Sequence, residues 1–193
     1  MKPLLLKTLA ITTVTLLSLS SWAQSSMIWS INSNGAKEVT AGGVPNQGDP
    51  DGTATGTLEL NNGTGGNTGS AIINLTLSNV GSVGVAPNYV LGGWHIHQAA
   101  ATTTGPIVLD FGQINTYLSG NTVTATINNL SSATINSVFA NSAGFYLNIH
   151  GSGGTYNGGA IRDQLTVLVP EPGTGALLAF GLASGFFFLK RKE

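Results

Sequence analysis

The 193-residue chain contains no cysteine, so no disulfide braces it and no thiol serves as a nucleophile or metal ligand. Charge is scarce as well, with Asp, Glu, Lys and Arg making up 8% of the residues. Between Gln24 and Val169 the only cations are Lys37 and Arg162, against Glu38, Asp49, Asp51, Glu59, Asp110 and Asp163, a net charge of −4. Such a segment has no basic patch with which to neutralise phosphate. That excludes nucleic acid and argues against anionic membrane surfaces as partners. No Gly-x-Ser-x-Gly elbow occurs, and six scattered acids supply few carboxylate pairs for glycoside hydrolysis, so the chain reads as a non-enzyme. Long helical periodicity is also missing from this middle part.

What is present begins at the two ends. Lys2 and Lys7 flank the start of an apolar region over 4–19, and Ser21-Trp22-Ala23 puts small residues where a signal peptidase reads, so cleavage is expected between Ala23 and Gln24. At the other end Pro170-Glu171-Pro172 precedes an apolar run over 176–189 and the cluster Lys190-Arg191-Lys192. The Pro-Glu-Pro turn continues neither a strand nor a helix interior, and the cations hold the end of the run on the cytoplasmic side. Residues 174–189, at about 1.5 Å each, reach roughly 24 Å against a hydrocarbon core of about 30 Å, which suits a transient anchor in the inner membrane. This tail resembles the PEP-CTERM sorting signal. The resemblance implies handling by an exosortase-type enzyme, removal of the tail, and delivery to the cell surface or exopolysaccharide matrix of a Gram-negative bacterium. The expected parts are a signal peptide (1–23), one domain (24–169) and a sorting tail (170–193).

Within the domain, short alternating apolar runs separated by Gly/Asn clusters predict an all-β, antiparallel β-sandwich. Strands are expected at 53–60, 71–77, 90–97, 107–111, 122–127, 145–150 and 161–169, with an edge strand at 27–31. A short helix or turn fits only over 131–143, where Val138, Phe139 and Ala140 break the alternation. Alternation also sorts the histidines. His95 and His97 share a face opposite Trp94 and Ile96, and His150 lies with Tyr146 and Asn148 opposite Phe145, Leu147 and Ile149. All three belong to the polar side of their strands.

The same runs resemble, in order, the motifs of the CHRD domain family over about 33–168. Gly35-Ala36-Lys37-Glu38-Val39 is similar to its opening strand, and Thr53-Ala54-Thr55-Gly56-Thr57 to its Gly-Thr-Ala-Thr strand. His95-Ile96-His97 with Gly105-Pro106-Ile107-Val108 matches a further pair of family motifs, and Tyr146-Leu147-Asn148-Ile149-His150 with Gly158-Gly159-Ala160-Ile161-Arg162-Asp163-Gln164-Leu165 the closing pair. Asp163 stands in place of the usual Gly, Gln98 in place of a common Gly-Pro, and the loop from Val44 to Asp51 is longer than usual. The resemblance implies a β-sandwich of the immunoglobulin or superoxide-dismutase kind; it does not imply a reaction.

Two functional readings follow. The first is a non-enzymatic surface or matrix interaction module without a cofactor, binding exopolysaccharide or other surface proteins through its Asn/Thr/Gly-rich faces. Trp94, Tyr89, Tyr117 and Tyr156 are its candidate stacking platforms, core packing being the plainer role for Trp94. The alternative is a redox or metal-buffering protein. A His-x-His pair sets two imidazoles on one face about 7 Å apart at Cα, and with His150 they form a candidate ligand set for copper or zinc. The His-Ile-His segment is similar to that of copper–zinc superoxide dismutase. Against it, half-exposed histidines on a polar face are ordinary, and Asp110 and Asp163 read as too distant to orient the rings. Asp49-Pro50-Asp51-Gly52 reads as a turn rather than a calcium loop.

Overall fold

The computed structural model describes residues 26–63, 68–80, 91–151 and 156–166. The signal peptide, Tyr89 and the sorting tail lie outside them. Among the described residues nine strands form one antiparallel sheet: β1 (Ser26–Asn34), β2 (Thr53–Asn61), β3 (Gly69–Ser78), β4 (Leu91–Gln98), β5 (Ile107–Gln113), β6 (Leu118–Ser119), β7 (Thr122–Leu130), β8 (Phe145–Gly151) and β9 (Ile161–Gln164). Their spatial order is β5-β4-β8-β9-β1-β2-β3-β7-β6. The helix α1 (Ser132–Ala140) falls where the alternation breaks, its first turn capped by the Ser131 side chain and its Ile135 and Val138 buried.

Period-two alternation drives the assembly. Along β3, Ala71, Ile73, Leu75 and Leu77 are buried while the residues between them face outward. The sheet curls so that Trp29, Leu58 and Ile73 from one half join Trp94, Ile96 and Leu147 from the other in a single apolar cluster. Each such side chain contributes about 1.5–3 kcal/mol on burial, which supplies the stability that disulfides do not.

The two halves meet at a corner made by one residue pair, Asn34 with Arg162. Asp163 ties that corner: one carboxylate oxygen accepts from the Asn32 amide at 2.6 Å, and the other pairs with Lys37 Nζ at 2.6 Å. The departure from the family's Gly thus joins β9 to β1.

Three expectations change. The segment 27–31 is not an edge strand: β1 pairs along its length with β2 and meets β9, so it is fifth of nine. The opening strand expected at 35–39 is a 3-10 turn over Gly35–Lys37, because the Asn34 side chain accepts from the Lys37 amide at 3.1 Å and bends the chain away. The last strand stops at Gln164, followed by a turn at 165–166, and residues 167–169 lie outside the described part. The Asp49–Gly52 turn forms as read, with Gly52 N donating to Asp49 O at 3.2 Å.

Candidate metal centre

The polar face of β4, β8 and β9 is not open. Tyr146, Asn148 and Arg162 are essentially inaccessible and His97 is 8% exposed. Three segments cover the face: the turn after β1 that carries Glu38, the β4–β5 connection over 99–106, and the turn at 156–160. The expectation of half-exposed histidines fails for His97, while His95 and His150 keep intermediate exposure, because alternation tells which face a side chain takes and not what lies over that face.

Register then assembles the site in rows. Asp110, His95, Asn148 and Arg162 are successive cross-strand neighbours on β5, β4, β8 and β9, and His97 pairs with Tyr146 in the next row. His150 lies two residues beyond Asn148, diagonal to His95. The ring centroids of His95 and His150 are 5.0 Å apart, with His97 5.7 and 5.9 Å from them. Gly93 makes room for this, since a Cβ there would sit 2.6 Å from the His95 ring.

Each imidazole has an outer nitrogen engaged and an inner nitrogen bare. His97 Nδ1 donates to Gly105 O at 2.8 Å, and His150 Nδ1 donates to Asn157 O at 2.7 Å. A carbonyl oxygen only accepts, so both Nδ1 atoms carry the proton and both Nε2 atoms present lone pairs. His95 Nε2 faces Asp110 Oδ1 at 3.4 Å, which leaves Nδ1 as its inner atom. The expected separation of Asp110 is corrected by the β4–β5 register; Asp163 is turned to Lys37 as described. His95 Nδ1, His97 Nε2 and His150 Nε2 are buried with no hydrogen-bond partner among the described residues. One nitrogen from each ring lies within 4.8 Å of the others.

The electrostatics favour the neutral form of His95 and His97. Burial pushes His95 below the ordinary imidazole range, with His150 and His97 adding to the shift and Asp110 opposing it. Burial does the same for His97, and His150 and Arg162 add to it against the pull of the Gly105 carbonyl. Neutral imidazoles are the ligand form. Three nitrogens within 4.8 Å of one another can surround one ion, each at the roughly 2.0–2.1 Å of a zinc–imidazole bond after small ring rotations, so the residues fit a three-histidine ion site.

Behind the histidines stands a support that the sequence reading missed. The His97 ring lies parallel on Tyr146, 4.9 Å between centroids, and the Arg162 guanidinium lies over the same Tyr146 ring, 3.4 Å from its centroid. Arg162 donates to Thr103 O at 2.9 Å and Ala100 O at 2.8 Å, and Gln164 Nε2 donates to Ala99 O at 2.8 Å. These bonds hold the 99–106 segment whose Gly105 carbonyl fixes His97. Glu38, 2% exposed, is pushed up to about 7 by burial, with Arg162 and the Val39 amide opposing.

Residues 29–165 match the CHRD domain. The chain belongs to the CHRD domain family. Residues 168–192 match the PEP-CTERM protein-sorting motif, which marks the CHRD protein as exported and targeted to an exosortase. No curated protein and no solved structure matches the chain. Neither family is an enzyme family. Among the described residues no helix is long and apolar enough to cross a membrane.

Glu38 gives the CHRD domain a pH signature. Its folded carboxyl titrates near 7 against an ordinary 4.5, so the folded state holds the proton more tightly. Stability on the order of 3 kcal/mol is present below pH 4.5 and lost as the pH rises through 7. The lowered His95 and His97 act in the opposite sense, removing stability as the pH falls below their unfolded value. Urea unfolding of Glu38→Gln at several pH values is expected to show the loss above pH 5 abolished; an unchanged slope contradicts the assignment.

Proposed function

We propose that the exported CHRD domain binds one divalent transition-metal ion, copper or zinc, through His95, His97 and His150. The observation that supports this reading is the convergence of three buried lone pairs. Each inner nitrogen is an acceptor, so the rings cannot satisfy one another, and an unpaired buried acceptor costs about 1–3 kcal/mol. A cation resolves all three at once. An all-imidazole set without thiolate suits copper(II), the strongest divalent binder of the first row, and zinc. The outer partners Asp110, Gly105 and Asn157 would fix the ring orientation as supporting groups around metals do. Water or an external ligand would take the remaining coordination position.

At the cell surface or in the exopolysaccharide matrix this would be a metal-buffering module without catalysis. It takes precedence over the plain interaction module because Trp94 is core, with Nε1 donating to Phe111 O at 3.1 Å, and Tyr117 packs against the same core. The test is thermal unfolding of chelator-stripped protein with added zinc. At free zinc about 100 times Kd the gain is about 2.7 kcal/mol, a rise of several degrees in Tm. No rise with either zinc or copper sinks the reading.

Processing belongs to the same proposal, with the mature chain running from Gln24 to near the Pro170-Glu171-Pro172 turn. Intact-mass measurement on the surface-located protein should return that span. A mass that retains Phe186, Phe187 and Phe188 defeats it.

A further inference from the structure

Glu38 stands apart from the histidines and remains unexplained by them. Both its carboxylate oxygens are buried, and apart from the Val39 amide that acts on the group they meet no hydrogen-bond donor among the described residues. It lines a pocket of about 330 Å³ together with Thr40, Gln47, Tyr156, Asn157 and Gly159. A buried acceptor at the edge of a pocket calls for a donor from outside the chain.

The pocket wall is built rather than incidental. Tyr156 has φ +58°, a backbone conformation that a bulky residue adopts only when its surroundings enforce it. Its carbonyl accepts from Gly151 N at 3.1 Å and Gly159 N at 3.0 Å, which fixes the turn. Gly159 must lack a side chain, since a Cβ there would lie 2.5 Å from Glu38 Oε2. The strained aromatic and the bare carboxylate are thus placed at one pocket by the same turn.

Chemistry narrows the ligand. In its ionised form Glu38 repels an anion, and a simple cation is opposed by the Arg162 charge that acts on that carboxyl. What remains is a neutral molecule rich in hydroxyl donors, with an apolar face for the aromatic ring and further polar contacts for Gln47, Asn157 and Thr40. We infer that this pocket binds one neutral hexose unit of a polysaccharide, its C–H face against Tyr156 and its hydroxyls donating to the Glu38 carboxylate. The inference does not rest on the metal: the pocket meets the histidines only through Asn157, whose carbonyl holds His150.

Saturation-transfer NMR of the exported protein with glucose, galactose and mannose tests it, run on both chelator-stripped and zinc-loaded samples. At least one hexose is expected to bind with Kd of about a millimolar. Glu38→Gln, which keeps the side chain's size, should weaken it about tenfold, and Tyr156→Ala should abolish transfer, while Tyr156→Phe stays within about twofold. Circular dichroism establishes that each variant is folded. Absence of transfer from all three sugars, or transfer that survives both Glu38→Gln and Tyr156→Ala, overturns the inference.

Discussion

Arg162→Met is expected to lower the unfolding free energy by about 3–5 kcal/mol, the range for breaking a buried charged network from one side. The residue is 1% exposed, and its guanidinium bonds Thr103 O, Ala100 O and Gln164 Oε1 while lying on the Tyr146 ring. Methionine fills most of the volume and satisfies none of those acceptors. Arg162→Lys keeps the charge but not the fork that reaches two carbonyls, so it should fall between wild type and Met. In Arg162→Met the 99–106 segment keeps the Gln164 bond to Ala99 but loses both Arg162 ties, and in Arg162→Lys it loses the fork, so the Gly105 carbonyl that fixes the His97 tautomer is held less firmly. Zinc affinity should therefore drop about 10-fold or more without any ligand being touched. Urea denaturation and zinc titration measure the two effects, and a stability loss below about 1 kcal/mol in Arg162→Met would contradict the clamp.

The strand pattern was readable because burial along β3 and β7 follows the period of two, and the helix was readable where Val138, Phe139 and Ala140 break it. The position of β1 was not. Trp29 and Ile31 alternate as they would on an edge or in the middle, and only pairing with β2 and contact with β9 decide between them. The three histidines were legible as ligand types on one face. Their surroundings were not, because Glu38, Gly105 and Asn157 arrive from connections whose path over the sheet is set by long-range hydrogen bonds such as Asp49 N to Ala160 O at 2.8 Å. Asp110 was nearer to hand. A β4–β5 hairpin register that pairs His95 with Asp110 would have placed the carboxylate beside the ring.

Removing any one of the three ligands should produce the largest functional change. His97→Ala and His150→Ala are each expected to weaken zinc binding about 100-fold or more, which corresponds to about 2.7 kcal/mol. Two imidazoles hold an ion far less well than three, and the pair left in each variant keeps its outer hydrogen bonds, so the loss reports ligation. Asp110→Asn should cost only about 10-fold, because it alters the orientation of His95 and not the donor. Since burial lowers His95 and His97, wild-type affinity should persist somewhat below the ordinary imidazole midpoint of 6.5 before protonation competes. Competition against a colorimetric chelator from pH 8 to pH 5 gives all these quantities. Equal affinities in wild type and the two histidine variants would assign the metal elsewhere.

X-ray absorption on the zinc- or copper-loaded protein, with metal content counted per chain, bears most directly on the three-histidine centre. The account predicts one ion per chain with three imidazole nitrogens at about 2.0–2.1 Å. A substoichiometric ion, or a shell of oxygen without imidazole scattering, would contradict it.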